Sequence, residues 1–310
     1  MFIVAGLVAY YRISIGLVGA IFVIGGGAVI VLTVLGHRAH GVDIALFIIS
    51  LLVLATAGTS FGAGGISHAS YYGARSSIQV SQIDVTASTS LGSINVAFTS
   101  NPNTGYEVTF TRTSFFGFFP IETNNYTFTN VTSHGVLYLN ASAEVADISI
   151  TVGQGYSSNV EISSATGSVS LSTDANRSFG SVALSSNTGS VDANLASSRI
   201  SSLSLHANTG SVNLRSTYLV AAGRGVPIQV SANTGSVSLN LKIPSTNAMA
   251  VNATTSFGSI THELPGFVVT ESTNTVLVAT TGNILTANSS FALTASANTG
   301  SVSIHVERLS

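Results

Sequence analysis

The 310-residue sequence contains no cysteine, which excludes disulfides, thiolate metal sites and cysteine nucleophiles. Charge is nearly as scarce: 7% of residues are charged, the net charge is −2, and Lys242 is the single lysine. With no basic patch interleaved with aromatics, the chain lacks the footprint that phosphate backbones require, so nucleic acid is excluded as a partner. Asp174, Asp192, Glu263 and Glu271 fall at unrelated spacings, whereas glycoside cleavage needs two carboxylates facing one bond. His206, His262 and His305 sit at different offsets from their neighbouring glycines and offer no second ligand at workable spacing. These absences predict a protein that is not an enzyme and uses neither cofactor nor metal.

Composition breaks sharply near residue 66. Before it, Ile13 to Gly36 runs 24 positions without a charge, and Ile44 to Ala63 runs 20; a helix of the first length spans the ~30 Å of a bilayer core with some tilt, and one of the second just spans it. The intervening His37-Arg38-Ala39-His40-Gly41-Val42-Asp43 reads as a short polar loop. The expectation is a transmembrane helical hairpin over 1–65, with spans at about 13–36 and 44–63, followed by a linker over 66–78. Gly16, Gly19, Gly25, Gly26, Gly27 and Ala28 thin the first helix, either for packing inside the hairpin or as a face for homo-oligomers. A rival reading makes Ala55-Thr56-Ala57 a small-residue cleavage site. Six Asn-x-Ser/Thr sequons, at Asn125, Asn130, Asn140, Asn176, Asn252 and Asn288, are glycosylation candidates. They favour an extracellular location for the rest of the chain, held at the cell membrane with the Arg38 loop cytoplasmic.

After residue 160 one phrase recurs. Asn208-Thr209-Gly210-Ser211-Val212-Asn213-Leu214, Asn233-Thr234-Gly235-Ser236-Val237-Ser238-Leu239 and Asn298-Thr299-Gly300-Ser301-Val302-Ser303-Ile304 are its fullest copies. Shorter ones surround Gly167, Gly180, Gly189, Gly258 and Gly282, and an early copy, Leu91-Gly92-Ser93-Ile94, opens the domain. From Gly189 these glycines step by 21, 25, 23, 24 and 18 residues, an irregular period near that of solenoids. Apolar residues alternate on both sides of the glycine, as Leu203/Leu205/Ala207 and Val212/Leu214, the period of half-buried strands. The phrase therefore joins two strands at a glycine corner.

A hairpin with a four-residue loop is one way to use that corner, but a two-residue Thr-Gly turn suits neither type I′ nor type II′. The favoured expectation is all-β: a parallel β-helix, or solenoid, over 161–310, right-handed by the general crossover rule, preceded by the transmembrane hairpin. Successive rungs then stack ~4.8 Å apart, and Asn187, Asn208, Asn233 and Asn298, each two before its glycine, form an amide ladder able to satisfy backbone groups at a buried corner. Residues 79–160, where the phrase is sparse, are expected to cap the N-terminal end. His305, Glu307 and Arg308 on the last strand suggest an edge blunted by polar groups. Ser114-Phe115-Phe116-Gly117-Phe118-Phe119-Pro120 reads as a loop whose Phe115, Phe116, Phe118 and Phe119 either plug the solenoid end or contact a membrane or partner.

With its Thr-Gly-Ser-Val copies, the chain resembles the adhesin family of bacterial and archaeal β-solenoid domains over about residues 79–310. The resemblance implies adhesion and supplies no catalytic residues; together with the expected membrane hairpin it gives the expectation of a cell-surface protein acting in adhesion or surface interaction, with membrane lipid and a cell-surface protein or polysaccharide as partners. A structural envelope or filament component without a specific ligand is the alternative.

Overall fold

In a computed structural model, the structure describes residues 67–112 and 125–310. The expected hairpin over 1–65, the Ala55-Thr56-Ala57 site and the Phe115 to Phe119 loop lie outside the described residues. The expected fold is corrected to an all-β one: every described element but a 3-10 turn is a strand, and among the described residues no helix is long and apolar enough to cross a membrane.

The described chain opens with β1 (Ser67–Ala74) and the 3-10 turn (Arg75–Ser77), where composition suggested a linker. Next come β2 (Gln82–Leu91), β3 (Ile94–Phe98), β4 (Thr104–Arg112), β5 (Tyr126–Ser133), β6 (Val136–Val145) and β7 (Asp147–Val152). The middle is β8 (Ser157–Thr166), β9 (Val169–Thr188), β10 (Val191–Thr209), β11 (Val212–Ala221), β12 (Val226–Thr234) and β13 (Val237–Pro244). The last part is β14 (Ala248–Phe257), β15 (Ile260–Glu263), β16 (Phe267–Ser272), β17 (Val276–Thr281), β18 (Ser290–Thr299) and β19 (Val302–Leu309).

Residues before a corner glycine form one wall and residues after it the other, and each wall pairs in parallel with the equivalent wall of its neighbours. Thus Val191 sits beside Val169 and Val212, while Leu203, on the opposite wall, sits beside Val182 and Ile228. The phrase turns a corner between walls; it does not close a hairpin. Inward columns are almost wholly apolar: Val169, Val191, Val212, Val237 and Val302 at the second position after the glycine are all at most 1% exposed. Such burial is the main stabilising term, at ~25 cal/mol per Å² of apolar surface.

The corners stack in the order Ala146, Gly92, Gly167, Gly189, Gly210, Gly235, Gly300, Gly258. At each glycine after Ala146, φ lies between 140° and 158° and an added Cβ would meet the carbonyl oxygen of the preceding corner at 2.0–2.3 Å. Glycine is required twice over, by backbone conformation and by space. Ala146 heads the stack with no corner before it, and its φ is not positive. Residues three before the corner are small, and where they carry a hydroxyl it donates to the previous corner carbonyl: Ser164 to Gly92 (2.9 Å), Ser186 to Gly167 (2.8 Å) and Thr255 to Gly300 (2.8 Å).

The stack does not follow chain order at either end. The first rung, β2/β3, lies between β6/β7 and β8/β9. The last, β18/β19, lies between β12/β13 and β14/β15. The expected blunted C-terminal edge is corrected accordingly: β19 is interior, and its polar residues bridge to neighbours. Lys242 meets Glu307 at 2.7 Å and His305 meets Glu263 at 2.8 Å. The outermost rungs are extended by antiparallel strands, β5 on β6 and β4 on β7 at one end, β17 on β14 and β16 on β17 at the other.

Gly210→Ala is expected to lower unfolding free energy by about 2–4 kcal/mol, the range of enforced backbone strain plus core disruption. Gly282→Ala, where an added Cβ meets nothing within 4 Å, is expected to change it by less than about 0.5 kcal/mol. Urea denaturation midpoints of the two variants check the contrast.

Candidate functional site

Six of the eight expected corner glycines, Gly167, Gly189, Gly210, Gly235, Gly258 and Gly300, occupy the stacked corner, and Gly92 joins them. Gly180 lies inside β9, where an added Cβ would meet Asn159 Oδ1 at 2.3 Å, and Gly282 follows β17 in open space. The residue before the glycine does not separate the two kinds: Gly282 follows Thr281 as most corners follow a threonine, and Gly180 follows Phe179 as the corner Gly258 follows Phe257.

Asn187, Asn208, Asn233 and Asn298 form a continuous chain of amides. Asn208 Nδ2 donates to Asn187 Oδ1 at 2.9 Å, Asn233 to Asn208 at 3.0 Å and Asn298 to Asn233 at 3.1 Å. Its place differs from the buried corner expected: Asn187, Asn233 and Asn298 are exposed and Asn208 half-buried, because the chain leaves strict alternation just before the glycine. Beside it runs a column that sequence reading missed, although it is written in the same phrase. Thr166, Thr188, Thr209, Thr234 and Thr299 pair in unbroken register and all face solvent. Exposed Leu91 and Phe257 continue the column at its two ends.

The titratable groups are dispersed over this surface. Asp192 accepts from Asn213 Nδ2 at 2.7 Å, His206 shares a hydrogen with Ser231 at 2.9 Å, and His262 contacts Ser272 at 3.2 Å. His262 takes the place that other copies give to an inward aliphatic, but it lies in the outermost rung and is exposed. Burial would raise the Asp174 pKa, but hydrogen bonds from the Ser100 N–H and from the Ser100 and Thr99 hydroxyls outweigh it and hold the carboxyl below its ordinary value. Glu307 is likewise lowered, by the hydrogen bond and charge of Lys242. Arg177 is buried, donates to the carbonyls of Gly153 (2.8 Å) and Thr99 (2.6 Å), and lies over the Phe98 ring. Burial lowers its pKa while Asp174 raises it, and a guanidinium stays protonated in any case. Glu271 lies exposed on β16. Among the described residues no three His, Asp or Glu side chains assemble a metal site.

All six sequon asparagines are exposed. Asn125 donates to Glu144, Asn130 to the Tyr106 hydroxyl and Asn140 to Thr129 Oγ1. Asn130 also borders a cleft of about 480 Å³ at the β5 end of the stack, lined by Tyr72 of β1, Gln79, Tyr106 of β4 and Leu137 of β6. Next to it an aromatic cluster packs the end of the core. Tyr71 lies 4.7 Å from Phe128 and 6.2 Å from Phe110 between ring centroids, and Phe110 stacks on Tyr126 at 4.8 Å. These rings are spread over three strands, so no local run in the sequence announces them.

No family model and no curated protein matches the chain. Among solved structures, a "putative cell adhesion protein" from Clostridium sporogenes is similar at 12% identity and a TM-score of 0.49, over 78% of this chain and 100% of that one. A "putative adhesin" from Bacteroides fragilis is 11% identical with a TM-score of 0.29, over 78% and 98% of the two chains. Another from Parabacteroides distasonis is 9% identical with a TM-score of 0.26, over the same 78% and 98%. Likenesses this remote say nothing of what the chain does.

Asn208→Ala removes two amide bonds of the ladder and Asn298→Ala one. The expected losses are about 1 kcal/mol and about half that, at the scale of ordinary hydrogen bonds, read from paired urea denaturation curves.

Proposed function

We propose that the chain is an extracellular surface-interaction protein that acts in adhesion without catalysis. The observation that carries this reading is the unbroken outward array of Asn and Thr, held in backbone register over successive rungs and almost free of charge. Side chains immobilised this way present many weak contacts at fixed spacing and lose little entropy on contact. The exposed sequons away from the cleft, at Asn140, Asn176, Asn252 and Asn288, support a glycosylated exterior. The partner is a surface protein or polysaccharide. The test compares adhesion of cells displaying the full chain with cells displaying a version lacking residues 79–310. Adhesion is expected to fall to the background of untransformed cells; unchanged adhesion overturns the reading.

A second reading, a structural filament, is favoured by the two end strands. Among the described residues, β16 pairs with β17 alone and exposes Val268 (57%) and Val269 (41%), while β5 pairs with β6 alone and exposes Val131 (55%). Two unlike edges on one molecule pair head to tail and do not close. Sedimentation of the purified chain is expected to show concentration-dependent assembly that Val268→Lys abolishes. A monomer at all concentrations removes this second reading.

A further inference from the structure

The cleft at the β5 end is lined by residues of β1, the 3-10 turn and the segment after it, β4, β5 and β6. An added Cβ at Gly73 would meet the Tyr106 ring at 2.3 Å, and one at Gly105 would meet Ile78 Cδ1 at 2.3 Å. Neither position has positive φ, so the two glycines make room for a tyrosine ring and an isoleucine that line the cleft. Tyr106 is 5% exposed and its hydroxyl oxygen accepts from Asn130 Nδ2, which leaves the phenol proton free to donate. Tyr72, by contrast, is 63% exposed and offers an open ring.

The chemistry of the lining narrows the occupant. Tyrosine phenols, the amides of Gln79 and Asn130 and the hydroxyls of Ser77 and Thr132 supply both donors and acceptors, and among the described residues the lining holds no carboxylate, ammonium, guanidinium or imidazole. A phosphate, sulfate or uronate would meet no counter-charge from these residues, and the three aliphatic side chains of the described lining, Ile78, Val80 and Leu137, are outnumbered by six that carry a phenol, amide or hydroxyl, which favours a polar occupant over an acyl chain. A sugar ring matches what remains: its C–H face rests on an aromatic ring and its hydroxyl rim exchanges hydrogen bonds with amides and hydroxyls. The volume of about 480 Å³ falls within the ~300–1,000 Å³ of small-molecule pockets.

We infer that this cleft binds an uncharged saccharide unit, with Tyr72 as the stacking platform and Gln79, Asn130 and Thr132 as the polar contacts. The inference rests on the surface-interaction reading and gives it a ligand class. Because a glycan on Asn130 would occupy the cleft mouth, the test uses the full chain made in a host without N-glycosylation. It is screened against immobilised neutral fragments of β-glucan, chitin and mannan and against uronate- and sialate-bearing oligosaccharides, and the strongest binder is titrated calorimetrically. Binding is expected for neutral fragments only, weakened at least tenfold by Tyr72→Ala at unchanged melting temperature. Tyr218→Ala, an exposed tyrosine of β11 outside the cleft, is expected to leave affinity unchanged. The assignment is overturned if no neutral fragment binds, if only acidic ones do, or if Tyr72→Ala binds normally. A chain that mediates cell adhesion yet binds no neutral fragment loses the cleft assignment and keeps the surface reading.

Discussion

Everything in this domain depends on one close approach. At each glycine corner the α-carbon lies over the carbonyl oxygen of the corner before it, too near for any Cβ, while at all of these but the outermost, Gly258, the glycine N–H donates to a carbonyl of the next rung, as Gly189 does to Thr209 at 2.8 Å and Gly210 to Thr234 at 2.8 Å. The backbone conformation that permits this is open to glycine and costly for other residues. The corner thus fixes the ladder register, and the ladder register fixes which side chains form columns. Inside, the columns are Val, Leu, Ile and Ala. Outside, they are Asn, Thr and Ser. A change of register by one residue would exchange the two sets, so the surface array and the core are specified by the same contact.

The ends need a different solution, because a parallel stack ends in unpaired strands. Both are extended by antiparallel strands drawn from chain segments that leave the stack and return. At one end β4, β5 and β1 gather an aromatic cluster that fills the gap between the walls. At the other, β16 and β17 prolong a single wall, and the apolar positions of β16 stay exposed. The two ends are therefore chemically unlike, and the cleft belongs to only one of them.

Much of the repeated architecture was legible because the phrase is a direct record of the corner: glycine where no Cβ fits, Val two residues on where the wall turns inward, Asn two residues before where amides meet. The ladder's exposure was not legible, since alternation places Ala207 inside and gives no notice that Asn208 and Thr209 both turn outward. Gly180 and Gly282 show the limit of phrase matching, for each precedes apolar residues without standing over another corner. The order of rungs was hidden as well. Equivalent copies are interchangeable partners, so no residue in Val302-Ser303-Ile304 says that it pairs with Val237 on one side and Ile260 on the other. The cleft was invisible for a related reason: its walls come from β1, β4, β5 and β6, and only folding makes Tyr72 and Asn130 neighbours.

The interior place of β18 and β19 bears on how the molecule is made. These strands leave the ribosome after both of their neighbours, yet they separate β12/β13 from β14/β15. Until they emerge, two half-built faces wait with unpaired backbone and bare aliphatic columns, and contacts of long sequence separation form late. The domain thus cannot mature by adding rungs in the order of translation. The pair β18/β19 has the place of a keystone, and its loss would cost the domain the junction between β12/β13 and β14/β15.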